Sequence, residues 1–262
     1  MIDKNISEFA NTLADIASEI TKKYFRKNFG EENKSNDTPV TIADREIENA
    51  IRNAIIKKFP DHGIVGEEYG SINNDADYKW IIDPIDGTLS FVIGRPIFGN
   101  LIALSYKGKS VLGIINQPIT GERWIGIANG DSKLNNEIIK TRKCNNIEDA
   151  ILCSTSPAFF KGKDLEVFKL ITAKTKYQNQ QGVIYGGDCY LFGLLAMGSI
   201  DIIIESGLSN YDFMALIPIV EAAGGIITDW KGNSLNLNSD GWVLACGDKR
   251  MHEKILKIIE QI

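Results

Sequence analysis

The feature that most constrains this chain is a change of hydrophobic period along its length. Ile6, Phe9, Ala10, Leu13, Ile16, Ala17 and Ile20 recur at i, i+3, i+4 and i+7, the stripe of one buried helix face. Ile47, Ile51, Ala54, Ile55 and Phe59 repeat the pattern and predict a second helix. Thr41 and Asp44 suit its start, a capping hydroxyl and an acid in the first turn. Between the two, residues 30–39 (GEENKSNDTP) are polar and turn-rich and read as an exposed, mobile loop. From Tyr78 to Asn129 the period shortens to that of strands. YKWII, NLIALSY, VLGIIN and ERWIGIA are separated by Gly, Pro and Lys-Gly turns, which predicts neighbouring antiparallel strands. After Cys144, strands (AILCS, DIIIES, WVLAC) mix with helices near 163–174, 189–198, 212–223 and 249–262. Such a chain folds as layered α+β, with an α+β half over 1–145 and an α/β half over 146–262.

Composition narrows the class. The 262 residues are 44% hydrophobic and 24% charged, enough to bury a core without disulfides or a structural metal. Cys144, Cys153, Cys189 and Cys246 show neither CxxC spacing nor a disulfide framework, and read as reduced thiols. No apolar run approaches the ~20 residues of a membrane helix. The start, Met1-Ile2-Asp3-Lys4-Asn5, lacks the plan of a signal peptide, so a cytoplasmic protein is expected. Lys and Arg total 29 against 34 Asp and Glu, a net charge of −5. That balance argues against nucleic acid as the main ligand, because phosphate backbones are held by basic surfaces. A small anion fits only if a bound cation reverses the local sign.

Acidic residues fall where strands or helices end. Gly66-Glu67-Glu68 follows Ile64-Val65, Asp83-Pro84-Ile85-Asp86-Gly87-Thr88 follows Trp80-Ile81-Ile82, and Tyr211-Asp212 precedes an apolar helix. Any one of these is a common surface turn, and Asp212 alone is explained by the charge preference of a helix N-terminus. The DPIDGT stretch is different. Pro84 stiffens the backbone between two carboxylates, and Gly87 permits close backbone approach after the second. Oxygen-only ligands suit Mg²⁺, and neither His62 nor His252 has a second His or Cys nearby in sequence to suggest zinc. The amides of Gly87 and Thr88 would cradle a phosphate if they open a helix.

GEEYG, WIIDPIDGTLSF and YDFMALIPIVEAAGG, in this order, resemble the three motifs of the inositol monophosphatase family of Mg²⁺-dependent, lithium-sensitive phosphatases. The resemblance spans essentially the whole chain. It implies an α-β-α-β-α sandwich, usually a homodimer, that hydrolyses a small phosphorylated metabolite. It also implies two or three Mg²⁺ ions. Glu67, Asp83 and the carbonyl of Ile85 would hold the first, Asp83, Asp86 and Asp212 the second, with a weaker third near Glu67. The implied reaction is in-line attack of metal-activated water on phosphorus, without a phosphoenzyme. Asp44 and Thr88 resemble the pair that orients and deprotonates that water, although Thr41-x-x-Asp44 equally fits a capping box. Gly87 and Thr88 would bind the phosphate.

The stretches FGNLIALSYKGKSVLGIINQPITGERWIG and YGGDCY look most like the branch that acts on histidinol phosphate in histidine biosynthesis. By the same resemblance Asp188 and Glu205 line the substrate wall, and an anionic wall suits the ammonium and imidazole of histidinol phosphate. A helix cap for Asp188 and a polar strand end for Glu205 are the competing readings. Leu89 and Phe98 depart from the family pattern. Rival substrates are inositol 1-phosphate, fructose 1,6-bisphosphate and adenosine 3′,5′-bisphosphate. Some family members also serve transcription or translation machinery, but this chain has no long Lys/Arg run. Pro218 should kink the third-motif helix, and Cys189 reads as a buried thiol rather than a nucleophile.

Overall fold

Asp3 opens the first helix by accepting a hydrogen bond from the Asn5 amide at 3.1 Å. The computed structural model describes residues 3–27, 39–175 and 183–261. Helix α1 spans Lys4–Tyr24 and α2 spans Pro39–Lys58. The stripe expected on each is buried: Ala10, Leu13 and Ala17 on α1, Ile47, Ile51 and Ile55 on α2, all at 0% exposure. The loop expected at 30–39 falls outside the described residues except for Pro39, which already belongs to α2. Thr41 and Asp44 therefore lie inside the helix, and the capping box expected of them does not form.

Beyond α2 the chain builds a sheet from β1 (Gly63–Gly66), β2 (Gly70–Ile72), β3 (Tyr78–Asp86), and, after α3 (Thr88–Val92), β4 (Gly99–Tyr106), β5 (Lys109–Gln117), β6 (Glu122–Ile127), β7 (Ser132–Leu134) and β8 (Glu137–Ile138). Its order is β2-β1-β3-β4-β5-β6-β7-β8. The four strands from β3 to β6 are antiparallel neighbours, as the short turns between their apolar runs predict, whereas β1 lies parallel to β3. A second sheet follows from β9 (Leu152–Ser154), β10 (Val183–Tyr185), β11 (Ile202–Glu205), β12 (Ile226–Thr228) and β13 (Val243–Cys246), in the order β10-β9-β11-β13-β12. Interleaved with these are α4 (Lys163–Lys174), α5 (Asp188–Ala196), α6 (Asn210–Phe213), α7 (Leu216–Ala222) and α8 (Lys249–Ile259).

Strand alternation assigns each side chain to a layer. Trp80, Ile82, Ile102, Leu104 and Ile114 join α1 and α2 in one core. Their neighbours Ile81, Leu101, Ala103 and Ile115 face the other way and pack with Leu191, Leu195, Leu216 and Ile219 of α5 and α7. Cys153, Ile203, Val243 and Ala245 of the second sheet close that middle core. Leu152, Ile202, Ile204 and Leu244 point outward onto Phe168, Ile171, Met251 and Ile255 of α4 and α8. The layers run α-β-α-β-α, as the resemblance implies.

The third motif carries its proline in α7, which Met214 and Ala215 separate from α6. Pro218 has no N–H to give the carbonyl of Met214 four residues earlier. Ser110 supplies the missing donor: its hydroxyl bonds Met214 O at 2.7 Å. Met214 and Ala215 keep helical dihedrals between α6 and α7, so the axis carries on into the middle layer. No helix among the described residues is long and apolar enough to cross a membrane.

Candidate active site

In a regular strand Asp83 and Asp86 would face opposite sides, because they are an odd number of residues apart. The register breaks between them. Asp83 pairs with Leu101 and Asp86 with Gly99, so two residues of β3 oppose Asn100 alone. Asn100 fills the bulge, its Nδ2 donating to Pro84 O at 2.6 Å. Pro84 has no amide to lose there, and the extra residue turns both carboxylates to one side. Gly87 follows at φ 83° and caps α3, whose first residue is Thr88.

Three further segments converge on this corner. The parallel pairing of β1 with β3 carries the chain to Glu67, whose amide donates to Ile82 O at 3.3 Å. Glu67 stands at the solvent edge of the cluster, close enough for its charge to act on Asp83. Asp212 arrives on α6, where its Oδ2 accepts from the Ser209 amide at 2.7 Å. It serves the helix N-terminus and the cluster at once. Asp83, Asp86 and Asp212 each present an oxygen within 4.8 Å of the others. At the start of α5, Asp86 accepts from the Cys189 amide at 2.6 Å.

Crowded acids resist ionisation. Burial raises Asp83 and Asp86 well above the usual carboxylate range. The charges of Asp86, Glu67 and Asp212 add to Asp83, and those of Asp188 and Asp212 add to Asp86. Burial lifts Asp44 to about 8, helped by the charges of Glu68, Glu67 and Glu48. Asp83 Oδ1 and Asp44 Oδ1 are buried without a hydrogen-bond partner among the described residues. Unsatisfied carboxylate oxygens beside three clustered acids are the donor set of a hard cation, so the residues present fit a divalent metal.

Beside the cluster opens a cavity of about 460 Å³, lined by Asp86, Gly87, Thr88, Asp188, Glu205 and Asp212 together with Thr155, Phe159, Lys161, Ser206 and Leu208. Gly187 takes the cap position of α5, so Asp188 does not cap it. Asp188 instead adopts φ 44° and its Oδ2 accepts from Ser90 Oγ at 3.1 Å. Glu205 is 1% exposed and accepts from the Thr155 amide at 2.6 Å and its hydroxyl at 2.9 Å. Burial, against those bonds, lifts Glu205 to about 7. Cys189 is buried beside Asp86 and its thiol is pushed far above the normal range, which removes it as a nucleophile.

Of the expected site residues, the structure gathers Asp83, Asp86 and Asp212, sets Glu67 at their edge, and lines the cavity with Gly87, Thr88, Asp188 and Glu205. Asp44 faces the Glu67-Glu68 turn instead, while Thr88 Oγ1 donates to Ile85 O at 3.3 Å. Thr155, Phe159, Lys161 and Ser206 were missed, because they lie on turns with no local signature of a site.

Residues 3–262 match the profile of the inositol monophosphatase family. The chain belongs to that family. It is therefore a phosphatase of a metal-dependent family that acts on small phosphorylated substrates. The bifunctional phosphatase IMPL2, chloroplastic, of Arabidopsis thaliana is 44% identical, across 98% of this chain and 77% of that protein. The histidinol-phosphatase of Chlorobaculum parvum is 35% identical over 91% of both chains. An inositol monophosphatase structure from Zymomonas mobilis superposes with a TM-score of 0.91 at 43% identity, covering 98% of each chain.

Proposed function

We propose that this phosphatase hydrolyses histidinol phosphate with Mg²⁺, in the cytoplasm and as a homodimer. The observation that carries the substrate is the pair of carboxylates, Asp188 and Glu205, on one wall of the cavity beside the acidic cluster. A phosphate held at the cluster puts the rest of its ester against that wall. An ammonium there meets two anionic partners, whereas the hydroxyls of a sugar or inositol meet buried charge without neutralising it. Phe159, 52% exposed on the same cavity, offers an aromatic face to the substrate's ring. Four free, buried cysteines suit a reducing compartment. Leu89 and Val92 on α3, with Ile93 just after it, leave apolar surface for a second copy to cover.

Glu67, Asp83, Asp86, Asp212 and the Ile85 carbonyl would hold the ions. Bound Mg²⁺ supplies positive charge that offsets the acids and makes water a better nucleophile. The chain's own groups do the rest. The amides of Gly87 and Thr88, at the first turn of α3, are free of helical partners and face the phosphate. Asp44, beside the Glu67-Glu68 turn, would accept the proton that water gives up once bound cations offset the neighbouring charges that help keep it protonated. Thr88, whose hydroxyl donates to Ile85, would offer its oxygen as an acceptor to that water. Steady-state kinetics on histidinol phosphate, inositol 1-phosphate, fructose 1,6-bisphosphate and adenosine 3′,5′-bisphosphate test the reading. The highest kcat/KM should belong to histidinol phosphate, and a higher value for any rival overturns the substrate.

A further inference from the structure

Glu48 is fully buried, yet it belongs neither to the acidic cluster nor to the cavity. It lies one helical turn beyond Asp44 on α2. Its Oε2 accepts from the Glu68 amide at 2.7 Å, and its Oε1 accepts from the Tyr69 amide at 3.2 Å. Arg52, one turn further along, donates from Nε to Glu48 Oε1 at 2.7 Å and from Nη2 to the carbonyl of Gly70. The two side chains thus grip the turn between β1 and β2 at two amides and a carbonyl. Gly66 makes the grip possible, because a Cβ at that position would overlap the Glu48 carboxylate.

The gripped turn is the one that carries Glu67. The turn is also tied by the Glu67 amide to β3, by the pairing of Gly66 with Gly70, and by Arg45, which meets Glu68 at 3.6 Å. The helix that holds it also carries Asp44. We infer that Glu48 and Arg52 are positioning residues: they fix Glu67 against Asp83, and fix Asp44 against Glu67, so that the metal-binding carboxylates are set before any ion arrives. The inference rests on Glu67 being a metal ligand. Losses of 10–100-fold in metal affinity are typical when such outer partners are removed.

Mn²⁺ binding, read by electron paramagnetic resonance on the substrate-free protein, tests it without reference to turnover. Glu48→Gln keeps the volume and one acceptor, and should weaken Mn²⁺ binding about 10-fold. Glu67→Ala should weaken it as well. In the Glu67→Ala background, Glu48→Gln should then have little further effect, since a residue acting through another loses its influence once that other is gone. Arg52→Met should mimic Glu48→Gln and likewise add little once Glu67 is absent. Independent, additive losses in the double variants, or unchanged Mn²⁺ affinity with only a lower thermal midpoint, overturn the positioning role. Unchanged affinity in Glu67→Ala overturns instead the assignment of Glu67 as a ligand, and the positioning role with it.

Discussion

The carboxylate of Asp188 lies directly over the α-carbon of Gly87: a Cβ added at Gly87 would come within 2.6 Å of Asp188 Oδ2. This contact joins the DPIDGT bulge, built by the first sheet, to α5 of the middle layer. The phosphate amides and the substrate wall thereby share one boundary, and the residue at that boundary has no side chain.

Gly87→Ala should therefore fail twice over. Its φ of 83° is a left-handed conformation that costs an alanine about 1–2 kcal/mol, and the new methyl displaces Asp188. Activity should fall at least 10-fold. Adding Asp188→Ala should relieve the clash but not the backbone strain, so circular dichroism melting of the double variant should recover only part of the lost stability.

Asp86 sits where the cluster, the cavity and α5 meet. Asp86→Asn keeps an acceptor for the Cys189 amide but removes a charge from the cluster. Turnover should drop ~10²-fold or more, the scale of a lost electrostatic contact, with the fold intact by circular dichroism. Exhaustive chelation of the wild-type protein should abolish phosphate release and Mg²⁺ should restore it. Li⁺ at millimolar levels should inhibit, as in the family it resembles.

Asp44→Asn separates a proton acceptor from a structural residue. Loss of a general base slows turnover roughly 10²–10⁴-fold, and KM should barely move. Thr88→Ala should behave similarly, and the double variant should be little worse than either single one. An acid raised to about 8 by burial and then by its neighbours' charges destabilises the metal-free protein when ionised. Asp44→Asn should therefore leave the thermal midpoint in chelator at pH 8 unchanged or raised. A variant that only melts earlier contradicts the role.

The raised acids also set a pH dependence. An acid that titrates higher in the folded state binds more protons folded than unfolded, so stability falls as pH rises through the gap. Glu205 titrates near 7 against an ordinary 4.5, and Asp44 near 8 against 3.8. Metal-free protein should thus lose stability from about pH 4 to pH 8, with Glu205 contributing up to about 3 kcal/mol. Melting in chelator at pH 5, 6, 7 and 8 should show the decline. Bound Mg²⁺ counters the same charges, so the stabilisation by metal should grow with pH. A metal-free midpoint that climbs through this window contradicts the assignment.

Much of this was legible in the chain because its signals are local. The strands from β3 to β6 stand out in sequence as apolar runs between turn residues, and Asp83, Asp86 and Gly87 lie within five consecutive residues. The short strands β1, β2, β7, β8, β10 and β12 escaped, being too brief to display a period. The helix start at Thr41 was misplaced because Pro39 already opens α2. Glu48 and Arg52 carry no local sequence signal of a role. Only the parallel pairing of β1 with β3 brings the turn against them. The competing reading of Asp188 as a cap could not be settled in sequence, since its bond to Ser90 is made across the fold.

The most direct test of the central claim compares Asp188→Ala on two esters. Histidinol phosphate offers Asp188 an ammonium, and losing that charge-assisted bond is worth roughly 1.5–3 kcal/mol, or about 10–150-fold in kcat/KM. Glycerol phosphate has no ammonium to lose, so its hydrolysis should change far less. Glu205→Ala should show the same preference more weakly if water bridges it to the amine. A large loss on histidinol phosphate with a small loss on glycerol phosphate is the predicted result. Equal losses on both would contradict it, returning Asp188 to a structural contact on Gly87 and leaving the substrate among the uncharged phosphate esters.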